Sequence, residues 1–207
     1  MTDPTRTIPD LGKGFGATET TTATKRDSRR KLAWNPGADV GLLLLRLAVG
    51  GVVFAHGVQK VFGMWGYPGI AEFTRSVEVL GYQQAPALAW TVGITEVVAG
   101  AFLVLGVIAP LAAAAILAIK INTVAVGLTG GAALLAQLAP TTVEGDVVLG
   151  LAAAALVLTG PGHIALDNGR TWHRRPASWG VLALIVGVAV GVLVFVFLRS
   201  PVGVGPV

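Results

Sequence analysis

Beyond residue 39 this chain of 207 residues almost runs out of charge: eight Lys and Arg and six Asp and Glu serve the other 168 positions. Val, Ala, Leu and Gly dominate that stretch. A body of this size cannot cover itself with polar surface, so its outer face must meet lipid. That excludes a soluble enzyme. The chain has no cysteine, which excludes disulfides, thiolate nucleophiles and Cys-ligated clusters within it. A pI near 9.9 does not indicate nucleic acid here, because the basic residues gather beside apolar runs rather than on one binding face.

Residues 1–38 read as a disordered polar tail, Thr-rich and then basic from Lys25 to Lys31. Ser28-Arg29-Arg30 resembles a twin-arginine export signal, but the apolar stretch behind it is too long and lacks a small-residue cleavage site. The tail is expected to stay, as a cytoplasmic anchor. Apolar stretches follow at 40–62, 85–130, 143–160 and 179–198. The second is too long for one helix, and Gly106 with Pro110 divides it, glycine ending one helix and proline opening the next. The expectation is an all-α membrane protein: a four-helix transmembrane core within 39–167, a basic loop at 168–178, a fifth transmembrane helix at 179–198 and a short tail at 199–207. Between the first two spans, Ile70, Phe73, Val77 and Leu80 share one face, as in a short amphipathic helix lying on the membrane surface. Lys25 to Lys31 and Arg170, Arg174 and Arg175 must lie on the same, inner side. In the cell membrane this places the amino terminus in the cytoplasm and the carboxyl terminus outside.

Ionisable residues inside a membrane are costly and each needs an explanation. Arg46, His56, Gln59 and Lys60 fall within an arc of about 140° on the first span. One reading has Lys60 snorkelling outward, Arg46 inward and His56 bonding between helices. The other makes them a polar cleft for a head group or a proton path. Glu96 and Lys120 sit at equal depth, each about 15 Å from the 106–110 turn at 1.5 Å per residue. They are expected to form a buried pair, with Arg46 the alternative partner of Glu96, serving either packing specificity or proton transfer. Asn122 and Thr123 add hydrogen-bonding capacity nearby. Only His56 lies within a span, while His163 and His173 fall in the inner loop. No Cys/His cluster suggests haem or a metal, and no phosphate-binding motif is present. Gly187 and Gly191 form a GxxxG in the last span, allowing a close helix–helix contact.

The run Leu44-Leu45-Arg46-Leu47 through Phe54-Ala55-His56-Gly57-Val58-Gln59-Lys60-Val61-Phe62-Gly63 resembles the opening signature of the DoxX family of small bacterial membrane proteins. Glu96-Val97-Val98-Ala99-Gly100-Ala101 to Leu105-Gly106 resembles that family's Glu-containing second helix, and Gly160-Pro161-Gly162 with Leu166-Asp167 its closing motif. The resemblance implies a four-helix core, with the tail and fifth helix as additions. It also implies an integral subunit of a quinone-linked oxidoreductase assembly, with sulfur or metal chemistry on partner redox subunits. This chain alone would then bind no cofactor beyond a possible quinone. His56 or Gln59 would contact the quinone and Glu96 would exchange a proton. Two alternatives stay open: a non-catalytic membrane scaffold, and a small-solute or proton-coupled carrier lined by Arg46, His56, Glu96 and Lys120.

Overall fold

Helix α1 spans Pro36–Phe62, starting four residues before the apolar run because Pro36 presets the first turn and Asp39 complements the positive helix end. The computed structural model describes residues 36–131, 143–166 and 176–200. The tail before Pro36, Asp167, Arg170, His173, Arg174, Arg175 and the end beyond Ser200 lie outside the described residues. Gly63 stops α1 in a left-handed conformation (φ 67°), and a single 3-10 turn, Met64–Gly66, follows. Helix α2 is Ile70–Val79 and α3 is Ala85–Leu105. Gly106 (φ 71°) closes α3, and α4, Ala109–Val126, opens with Pro110 in its first turn. The chain therefore reverses where the sequence predicts. A wider π turn, Gly127–Gly131, prolongs α4. Helices α5, Val143–Thr159, and α6, Pro176–Leu198, complete the described chain.

Four of these helices, α1, α3, α4 with its extension to Thr129, and α6, are long and apolar enough to cross a membrane. Helix α5 has 17 residues, about 25 Å of rise, and packs among them through Ala153, Leu156 and Val157. Helix α4 is the centre, touching α3, α5 and α6. Its alanines at 112, 113 and 114 are buried, and their small side chains let the neighbours come close. Gly187 and Gly191 of α6 are used here. A Cβ on them would stand 2.7 Å from the Ala114 carbonyl and 3.0 Å from the Ala118 carbonyl, so the GxxxG packs inside the chain rather than against a partner. The outer face of α6, including Leu182, Ile185 and Phe197, is exposed and faces lipid.

Helices α1 and α3 pack even more closely. A Cβ on Gly57 would lie 2.6 Å from the Val97 amide nitrogen, and one on Gly100 would lie 2.6 Å from that of Phe54. The same register sets Val61 against Gly93, eight residues into α3, so α1 ends about two turns below the start of α3. The 63–69 loop and α2 cover that gap. Helix α2 does not rest on the membrane surface through its apolar face, as the sequence suggests: Val77 and Leu80 are buried together with Tyr82, Ala89 and Val126. The far end of α6 is fastened to the same region, where the Gln83 amide donates to the Leu198 carbonyl at 2.7 Å and the Ser200 amide to Gly81 at 2.9 Å.

A polar centre inside the helix bundle

Because Gly57 brings the backbones of α1 and α3 together, Lys60 reaches across one turn later to Glu96. Its Nζ donates to both carboxylate oxygens at 2.8 Å. The Phe73 ring of α2 lies 4.8 Å from the same ammonium, adding a cation–π contact. Lys60 is 8% exposed and Glu96 1%. This corrects two expectations: Glu96 pairs with neither Lys120 nor Arg46, and Lys60 does not snorkel to the outer interface. Glu96 shares the α1-facing side of α3 with Gly93 and Gly100, at helical spacing. That side never meets Lys120.

Lys120 faces α5. Its Nζ donates to Asp146 Oδ1 at 2.6 Å, and both side chains are buried. Gly150 of α5 faces the lysine stem: a Cβ there would stand 3.4 Å from Lys120 Cβ, in ordinary contact. Asp146 sits in the first turn of α5, where the helix dipole favours a carboxylate. One ion pair thus joins α1 to α3 and another joins α4 to α5.

His56 stands one turn before Lys60 on the same face of α1. It is half-buried and within electrostatic range of Lys60, Glu96, Lys120 and Asp146. Its ring makes no hydrogen bond among the described residues. Gln59 is also half-buried, and its side chain makes none among them. In the 63–69 loop, Tyr67 has a buried hydroxyl without a partner among the described residues. Burial, followed by the charges of Glu96 and Glu72, pushes this phenol up to about 12. Sequence reasoning missed Tyr67, Phe73 and Asp146. The available signal for Tyr67 was glycine density: Gly63, Gly66 and Gly69 all have positive φ, and Trp65 between them sits at φ 55°.

Arg46 does not join this centre. It lies fourteen residues from Lys60, about 21 Å along α1, and Val49, Val53, Leu103, Ile116 and Leu156 fill the bundle between them. Nor does it snorkel, being 1% exposed. It donates to the Ile164 carbonyl near the point where Asp39 Oδ1 accepts from the His163 amide at 2.9 Å. The four-residue polar stripe of the sequence is two separate sites.

Asn122 works on the outer side of α4, accepting from the Tyr82 hydroxyl at 3.1 Å and donating to the Gly191 carbonyl at 2.9 Å. Thr123 only turns back to the Lys120 carbonyl, at 3.1 Å. Asn122→Ala is expected to cost about 1 kcal/mol, by the usual worth of such bonds, and to loosen α6 from α4. Denaturant titration of the purified protein checks the first effect, and proteolysis near the carboxyl end of α6 the second.

Apolar helices long enough to cross lipid, closed around internal ion pairs, define a multi-pass helical membrane protein. Residues 41–129, from α1 through the π turn after α4, match the DoxX family model, so this part of the chain is similar to that family. The match stops before the Gly160-Pro161-Gly162 turn, α5 and α6. Comparisons with curated proteins and with solved structures give no match.

Proposed function

We propose that the chain is the integral membrane subunit of an oxidoreductase or respiratory-type assembly, and that its polar centre receives a quinone head group. The observation carrying this reading is His56, a half-buried imidazole beside two closed ion pairs with no hydrogen bond of its own. The orphaned hydroxyl of Tyr67, within electrostatic range of Glu96, would supply a second polar contact for a ligand with two carbonyl or hydroxyl oxygens. A quinone would bring two-electron, two-proton chemistry. His56 would hold one oxygen and exchange its proton. Glu96, with both oxygens taken by Lys60, would orient the site rather than carry the proton. Sulfur or metal chemistry would belong to partner redox subunits. The membrane would be the cell membrane, with five spans, the amino terminus in the cytoplasm and the centre in the outer half.

Purification of the tagged chain from its native membrane, with identification of bound proteins and lipids, tests this reading. Redox-active partners and about one quinone per chain are expected, with the quinone reduced at least tenfold in His56→Ala. Recovery of the chain without redox partners or quinone contradicts it. The two ion pairs, each tying two helices, favour a scaffold as the second reading. Unchanged electron transfer in His56→Ala, with assembly lost in Gly187→Leu, would assign that role. Solute or proton flux in vesicles containing the chain alone would assign a carrier.

A further inference from the structure

Arg46 is the least compensated cation among the described residues. Its side chain is fully buried, yet Nε and Nη1 have no acceptor, and only Nη2 donates, to the Ile164 carbonyl. Those two nitrogens carry three of the five N–H groups of a guanidinium. A buried charge with a single neutral acceptor is far from satisfied. Asp39, seven residues earlier and about 10 Å down the same helix face, is engaged by the His163 amide at 2.9 Å and lies 3.1 Å from its Nδ1.

The surroundings form a cradle at the end of the bundle. Gly50 packs against Gly100 and Val104, so Arg46, one turn closer to the amino terminus, is level with the turn between α3 and α4. A Cβ on Gly106 would collide with Nη1, so the guanidinium occupies the room that glycine leaves. Residues 160–166 form the cover, held by the Asp39–His163 contact and by the Leu166 amide donating to the Leu105 carbonyl at 3.3 Å. Gly160 and Gly162, at φ 76° and 72°, give the cover its bend. Ile164 and Leu166 are exposed at the depth where a spanning bundle meets lipid phosphates.

We propose that Arg46 is the receptor for a phosphate-type oxyanion at this end of the bundle, taken up when residues 160–166 lift and the Ile164 carbonyl gives up its place. A tetrahedral oxyanion offers several acceptors to a planar fork of donors, and charge-assisted bonds of this kind are stronger than those to a neutral carbonyl. The site is independent of the quinone reading and lies at the other end of the apolar plug. Its chemistry is shared by an anionic lipid head group and by free phosphate.

The full chain in neutral detergent, followed by its Tm, distinguishes the two sources. One titration uses bicelles with phosphatidylglycerol against phosphatidylcholine alone, and the other uses inorganic phosphate against chloride at equal ionic strength. A saturable rise in Tm with phosphatidylglycerol only assigns the head group, and a rise with phosphate assigns the soluble anion. Arg46→Gln is expected to weaken the response at least tenfold. No rise in either titration, or an undiminished one in Arg46→Gln, overturns the proposal. Should Arg46→Gln fail to fold, His163→Ala decides. Loosening the cover is expected to tighten binding about threefold, and unchanged or weaker binding overturns the proposal.

Discussion

Glu96→Leu is expected to destabilise the folded protein by about 3–5 kcal/mol, the range for breaking a buried ion pair from one side. The loss comes mainly from the lysine left behind. Lys60 is 8% exposed and its ammonium has no second carboxylate among the described residues, where Asp146 is bound to Lys120. Glu96→Gln should cost less, since the amide oxygen can still accept one bond from Nζ. Removing both partners in Lys60→Met/Glu96→Leu should recover much of the loss, because apolar residues of similar volume pack without a desolvation cost. Unfolding of the unsubstituted protein, Lys60→Met, Glu96→Leu and the double variant in a denaturing detergent series gives the cycle. Additive effects of the two single substitutions would mean that the two side chains do not interact.

Gly100→Leu should be more damaging still. The position where its Cβ would go is 2.6 Å from the Phe54 amide nitrogen and 2.8 Å from the Gly50 carbonyl. These contacts are backbone, so no side chain can swing away. Helices α1 and α3 must separate, and separation also draws Lys60 off Glu96. Overpacking alone costs about 1–3 kcal/mol, and weakening of the ion pair adds to that loss. Gly51→Leu is the control: nothing lies within 4 Å of a Cβ there, and little change is expected. Circular dichroism melts of both variants, with yield of folded protein from the membrane, check the contrast. Equal behaviour of the two would refute the α1–α3 packing.

The helices and the central turn were legible because they depend on local chemistry. Gly106 and Pro110 mark a stop and a start whatever surrounds them, and a charge such as Glu96 within an apolar run announces its own burial. Its partner was not legible, because hydropathy gives depth along a helix but not rotation about it. Equal depth favours Lys120, whereas rotation, set by Gly93, Gly57 and Gly100, selects Lys60. The depth of Lys60 was misjudged for a related reason: α1 ends two turns short of α3, which only the packing of α2 and the 63–69 loop makes possible. Asp146 was missed because it stands in the first turn of a helix, where sequence boundaries are weakest.

Labelling with a photoreactive quinone, followed by peptide mapping, tests most directly whether the polar centre is a ligand site. The account predicts saturable labelling in the second half of α1, around His56, and in the 63–69 loop that holds Tyr67. Excess unlabelled quinone should suppress it, and His56→Ala should lose it. Labelling confined to the lipid-facing side of α6, or unaffected by competitor, would contradict it.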